Sequence, residues 1–398
     1  MISSTFCFCD DFMDQKRSLA PFGFFLAFAF CLLLHSSRLQ IGQESLAAER
    51  LNWKAEWEKT LKVARGEAQV TVFGWSRESH LQALMEFQRF YPEIKLILIS
   101  GSGSDLGPRL VAERRAAKYL ADLFIVGATT PVEVLLPAKA LDPIRSSLIL
   151  PEVTDESLWF GKKFHFADRE REYVLLNDGT VETSLVAYNT KLVRPEEIQS
   201  YWDLLRPKWR GKILAYDPRK RSGASGPIRF LYFSPTLGPK FVYRLFNETD
   251  ITLASDGHLM TDWLATGKFP LFVFPAAGDI DKAKKQGLPV EEMTHLLQEG
   301  ASMHAGAGAV TVVNQPAHPN AAKVYLNWFL SREGQIAYQR ITERNSLRMD
   351  IPKEQLRDAV NIVPKEGVPY IFSALPEYSD LQPIRKLITE ALEKAGKR

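Results

Sequence analysis

From residue 69 onward the chain alternates short apolar runs with segments whose apolar residues recur at helical spacing. "AQVTVFGW" predicts a strand with a turn after it. "SRESHLQALMEFQRFYP" predicts one helix, with Leu81, Leu84, Phe87 and Phe90 on its apolar face, Ser76 as N-cap and Pro92 at its end. "IKLILIS", "DLGPRLVAERRAAKYL" and "ADLFIVGATT" continue as strand, helix and strand. Residues 48–67 predict a further helix, with Trp53, Trp57 and Leu61 on one stripe. Such alternation means βαβ units and a mainly parallel sheet. Ligands of such sheets bind beyond the C-terminal ends of the strands. Here those ends are the loops Gly74–Arg77, Ser100–Asp105 and Gly127–Thr130.

The pattern then repeats. "TSLVAYNTKLV" predicts a strand and turn. "GKILAYD", "PRKRSGASG" and the residues from Pro227 predict strand, loop and helix. "FPLFVFPAAGDIDKAKKQG" is a further strand, loop and helix. "GLPVEEM" reads as a turn into a helix, with Glu291 and Glu292 as solvated charge. "GAGAVTVV" is a strand, and "HPNAAKVYLNWFLSREGQIAYQR" one helix opening at Asn320. Two α/β halves, with the chain passing between them near Tyr188–Thr190 and again near Gly306–Gly308, predict two lobes and a cleft.

The N-terminus changes the picture. Lys16 and Arg17 precede an apolar run, Leu19–Leu34, in the order of an export signal. The run is shorter than the ~20 residues of a spanning helix. The acidic stretch before it points to Met13 as the true start. "SLA", ending at Ala47, is a small-x-small cleavage site; an uncleaved anchor is the alternative. Cys7, Cys9 and Cys31 are the three cysteines, all in this segment. The remainder therefore has no disulfide, thiolate nucleophile or Cys-bound metal. A net charge of +3 over 398 residues is too balanced to suggest a nucleic-acid partner. No P-loop, H-E-x-x-H or G-x-S-x-G pattern is present, so no cofactor, metal or catalytic set is expected.

"LILISGSGSDLGPRLVAER" carries the candidate chemistry. Its glycines at 101, 103 and 107 approach a dinucleotide loop, but the third comes one residue late and precedes Pro108. Asp122 follows at a plausible distance, yet opens a strand instead of closing one. A plain βα turn and a ligand loop are the other readings. "RKRSGASGP" is a second such loop. On the ligand reading, Trp75, Ser76, Ser102, Gly103, Ser104 and Thr129 line one wall, and Arg219, Ser222, Gly223, Ser225 and Asp279 the other. Tyr188 and His304 sit near the hinge. Amides and hydroxyls at helix N-termini beside a basic turn favour a small anion: a carboxylate, phosphate ester or phosphonate. Trp75 either stacks on an apolar part of the ligand or belongs to the core.

"VAYNTKLVRPEEIQSYWDLLRPKWRGKILAYDP" and "HPNAAKVYLNWFLSREGQ" resemble the extracellular solute-binding proteins of bacterial ABC importers, over roughly residues 68–345. The resemblance implies a type 2 periplasmic-binding fold, with two α/β lobes, two crossover strands and a ligand enclosed by hinge motion. It also implies a periplasmic monomer, not an enzyme, with an importer permease and ATPase as partners. The boundaries expected are 1–47 for the export segment, 48–187 for the first part of lobe 1, 188–303 for lobe 2, and 304–398 for the return to lobe 1. The ferric-iron branch of the family uses paired tyrosines after a lobe-two strand. Here that position reads "VFPAAGD", and Pro275, Ala276 and Ala277 supply no phenolate for a hard ferric ion. The expected function is capture of a small anionic or organic solute. The alternatives are an iron or iron-chelate binder, a nucleotide-dependent α/β enzyme, and an anchored two-lobed sensor.

Overall fold

The structure is a computed structural model, and it describes residues 52–182, 185–220, 225–275, 278–293, 295, 297–306 and 308–397. The export segment, Met13 and the Ala47 cleavage site lie outside the described residues. So do Ser222, Gly223, Ala276 and Ala277, and the side chain of Ser225. The chain divides into two compact units at Glu56 and Trp57. The first is described only over 52–56, which are helical, and the second holds the sheets.

In that second unit, β1 (Gln69–Trp75), β2 (Lys95–Gly101) and β3 (Leu123–Val126) pair in parallel, with β1 in the middle. β3 and the interior of β1 are buried, as apolar runs covered by helices should be. The sheet continues through β14 (Ala309–Val313), which returns antiparallel to β3, and through β6 (Leu175–Leu176) and β5 (His165–Phe166); β4 (Leu141–Asp142) pairs with the far end of β14. Helices α1 (Glu78–Met85), α2 (Gly103–Arg115), α7 (Pro319–Leu330) and α8 (Arg332–Thr342) belong to this half. Phe73, Phe87, Phe124, Tyr325 and Phe329 fill its core, and Trp57 and Leu61 pack on it.

A second sheet has the order β10 (Thr252–Ala254), β9 (Ile213–Tyr216), β11 (Leu271–Val273), β8 (Val186–Asn189) and β12 (Val290–Glu292). It packs with α3 (Ser225–Phe233), α4 (Gly238–Glu248), α5 (Gly257–Ala265), α6 (Asp279–Lys285) and the C-terminal α9 (Gln382–Lys394) around a separate core. A three-stranded sheet joins the halves: β7 (Thr180–Glu182), β13 (Ala301–His304) and β15 (Tyr370–Phe372). β7 and β13 are antiparallel neighbours, with His304 opposite Thr180 and Ser302 opposite Glu182. They are the segments on which the chain leaves and re-enters the first sheet.

Several expectations are corrected. The helix after β1 begins at Glu78 with Arg77 at its N-cap; Ser76 stands one residue earlier and its N–H donates to the Gly101 carbonyl at 3.2 Å. The helix expected from Asn320 to Arg340 breaks at Ser331, whose Oγ accepts from Gly334 N and caps α8. Glu291 and Glu292 lie in a strand, where Glu291 faces Tyr188 across the ladder and pairs with Lys284. Tyr188 is not at the first crossover. It lies inside the second sheet between Leu271 and Glu291, and the crossing is made by β7.

Gly103 and Gly107 have a packing role. A Cβ on Gly107 would sit 2.3 Å from Thr130 Cγ2, and one on Gly103 would sit 2.5 Å from Thr130 Oγ1. The glycines let α2 lie against the chain that follows β3. Gly107→Ala should therefore destabilise the protein by about 1–3 kcal/mol through overpacking, despite the better helix propensity of alanine. Thr130→Ser, which removes the clashing methyl, should restore most of the loss in thermal unfolding of the double variant.

Candidate functional site

β1, β2 and β3 end together at Trp75, Gly101 and Val126. β14 runs the other way, so its entry loop at Gly306 lies at the same edge, and β6 runs out there into Asn177 and Asp178. The loops that the sequence selects for lobe 1 are thus neighbours. The edge is built on Asp178, whose carboxylate is fully buried. Its Oδ1 accepts from Gly306 N at 3.0 Å. Its Oδ2 accepts from Tyr338 Oη at 2.8 Å and from Arg344 Nε. The guanidinium lies against Gly306, where a Cβ would stand 2.3 Å from Arg344 Cζ, so a larger residue would displace Arg344. Segment 345–347 straps the same place: Gly179 N donates to Asn345 O, Asn345 Nδ2 to Gly179 O, and Leu347 N to Asn177 O.

Around this pair several buried polar atoms have no partner: both ring nitrogens of His80, Nδ1 of His304, Nη2 of Arg344, Oγ1 of Thr180 and Oγ of Ser302. His80 is 4% exposed and sits edge-on between Trp75 (4.7 Å) and Tyr338 (5.8 Å). Burial, aided by Arg344 and Arg77 and opposed by Asp178, holds its pKa down to about 4. Burial and Arg344 likewise lower that of His304, against Asp178 and the Thr180 backbone. Both rings are neutral near pH 7. Burial opposes the charge on Arg344, but Asp178 and Tyr338 more than offset it and raise its pKa. Trp75 is half-buried, and the exposed Arg77 stacks on its ring at 5.0 Å.

Of the other lobe-1 candidates, Ser102 caps α2 and bonds Ser104 and Asp105 through its hydroxyl, which gives both serines local partners. Thr129 is exposed, in the first helical turn after β3. Asp122 lies at the opposite end of the sheet, where it accepts from Thr71 N, His318 N and His318 Nδ1. That position serves the fold and cannot meet a ribose bound at the N-terminus of α2.

The second sheet presents Tyr216, Asp217, Asp256 and Asp279 beyond its strand ends. A Cβ on Gly257 would lie 2.2 Å from the Tyr216 hydroxyl and 2.9 Å from Asp279 Oδ2, which places both oxygens against one backbone position. Burial, then Asp279 and Asp256, raises the pKa of Tyr216. Arg219 grips Asp217 with Nε and Nη2, at 2.9 and 2.8 Å. Both line an open groove of about 510 Å³ with Thr252, Leu253, Leu392 and Lys397, along edge strand β10 and the C-terminal helix. The arginine expected to meet an anion already has a carboxylate. Phe274, buried at the end of β11, holds a left-handed φ of 64°. His80, Asp178, Tyr338, Arg344 and Tyr216 escape sequence reasoning. Only Tyr216, the last residue of "ILAY" at a strand end, carries a local signal.

The chain was compared with known proteins. No family model matches it. Iron uptake protein A1 of Synechocystis sp. (strain ATCC 27184 / PCC 6803 / Kazusa) is 26% identical over 137 residues; the match spans 30% of this chain and 30% of that protein. Trichodesmium IdiA (FutA), solved with iron and citrate ligands, is 16% identical, covering 81% of this chain and 99% of its own, with a TM-score of 0.55. An ABC transporter structure from Clostridium perfringens ATCC 13124 is 14% identical, covers 82% and 98%, and has a TM-score of 0.56. Apo FutA2 from Synechocystis PCC6803 is 13% identical, covers 83% and 99%, and has a TM-score of 0.53. The fold is that of the type 2 periplasmic binding proteins. The edge built on Asp178 adjoins the start of β7 and the end of β13, the strands that leave and re-enter the first sheet.

Asp178→Asn should leave the Arg344 guanidinium without its counter-charge and lower stability by about 3 kcal/mol in urea unfolding. Adding Arg344→Met should recover part of that loss. His80 binds its proton in the unfolded chain at about 6.5 but in the fold only at about 4. The unfolded state therefore takes up more protons in between, and stability should fall as pH drops from about 6.5 to about 4. Melting curves of His80→Asn across that range should lack this component.

Proposed function

We propose that the chain is the solute-binding protein of an ABC importer, capturing a small molecule between its two lobes and passing it to a permease and ATPase. Residues 1–47 carry it to the periplasm, where it works as a monomer. The observation that supports this reading most is the concentration of unpartnered buried polar atoms at the strand-end edge of the first sheet. Buried donors and acceptors each cost about 1–3 kcal/mol when left unpaired, so a group of them at one place marks a site that a partner completes. The edge also lies where hinge strands β7 and β13 meet the lobe, so occupation of the site and lobe closure are coupled. The groups here suit binding: two neutral imidazoles, one neutralised guanidinium and two hydroxyls.

A second reading, iron carried as an organic chelate, is favoured by the Tyr216 hydroxyl and the Asp279 carboxylate, two hard oxygen donors against Gly257. Native mass spectrometry of the protein purified from its own host separates the readings. A co-purified organic molecule is expected, and iron with an organic partner supports the second. A bare ferric adduct would refute both.

A further inference from the structure

The unpartnered atoms define the ligand more narrowly than the fold does. Arg344 is the cation of the edge, and Asp178 already neutralises it through Nε. Asp178 is the anion, and Gly306 N, Tyr338 Oη and Arg344 Nε occupy it while it has no solvent exposure. Neither charge of this buried pair is left for a ligand, and the other cation nearby, Arg77, is exposed and stacked on Trp75. The remaining buried groups are neutral and of mixed sense. A neutral His80 offers one N–H donor and one acceptor nitrogen, and the hydroxyls of Thr180 and Ser302 can do either. Arg344 Nη2 adds a donor. A bare anion only accepts and would leave the acceptor nitrogen of His80 unpaired. A bare cation only donates and would leave Nη2 unpaired. A hydroxyl group donates and accepts at once. Trp75, in edge contact with His80, supplies an apolar ring beside these groups, and Arg77 over its face is exposed and displaceable.

We infer that the part of the ligand held at the Asp178 edge is uncharged and rich in hydroxyls, with His80 as the specificity-determining contact. This rests on the solute-binding reading. It differs from the small anion that the serine and glycine loops suggest, because the structure gives Ser102, Ser104 and Arg219 protein partners and leaves the His80 imidazole without any.

The test is isothermal titration calorimetry on the dialysed protein with two probe sets: glucose, maltose and myo-inositol, and citrate and inorganic phosphate. At least one neutral probe should bind with an affinity unchanged between low and high salt. His80→Phe, which keeps an aromatic ring between Trp75 and Tyr338, should weaken that binding tenfold or more without lowering the melting temperature. His80→Gln, which keeps a donor and an acceptor, should retain part of it. Imidazole nitrogen shifts of His80 in NMR should move on binding. Binding confined to citrate or phosphate, or neutral binding that His80→Phe leaves intact, overturns the inference and leaves the solute-binding reading standing. Binding of neither set also overturns it. The solute-binding reading fails only if the host-purified protein carries no organic molecule as well.

Discussion

The buried carboxylate of Asp178 is the constraint on which the rest of the site depends. A charge without solvent contact is tolerated only when it is paired and hydrogen-bonded. Asp178 meets that demand by drawing in groups far apart in the chain: the entry loop of β14, the side chain of α8, and Arg344 just beyond it. It stands two residues before β7, and Gly306 follows β13. One side chain therefore fixes where both crossover strands enter the first sheet. Replacing it with an apolar group alone would strand Arg344 against Gly306. The pair is thus better understood as setting position than as adding stability.

Its consequence reaches the neighbouring residues. Because Arg344 must lie against Gly306 and Tyr338 must reach Asp178, His80 is enclosed between Trp75 and Tyr338 without a partner for either nitrogen. Its neutrality follows from that enclosure. The second lobe shows the opposite electrostatic habit. Its strand ends carry Asp217, Asp256 and Asp279, with Arg219 turned back onto Asp217. On the proposed function, specificity would arise from what each half leaves unpaired, and the first half leaves the neutral ring of His80.

The fold was legible because it rests on periodicity. Apolar runs such as "QVTVF" and "LFIV" could only be buried strands, and the turn residues between them placed the helices. The errors have local causes. "VEE" at 290–292 is a strand because it pairs with β8, a tertiary contact that propensity does not carry. The helix at 319–342 broke because Ser331 caps a second start. The site was less legible. Loop composition drew attention to Ser102, Gly103 and Arg219, but the glycines answer to Thr130 and the arginine to Asp217. His80 looked like an ordinary helical residue, and Asp178 is separated from Tyr338 and Arg344 by more than 150 residues of chain. Nothing in the order of residues says that they meet.

On the proposed function, ligand binding at the Asp178 edge draws the two lobes together. All three cysteines lie within the first 31 residues, so the rest of the chain accepts site-specific labels without competition. Spin labels at Ser104→Cys, on the first sheet's edge, and Lys282→Cys, on α6 of the second, would report the separation by pulsed electron resonance. A single shorter distance is expected when the co-purified solute is restored to the stripped protein, and a broader, longer one without it. A distance distribution unchanged by bound solute would contradict the account.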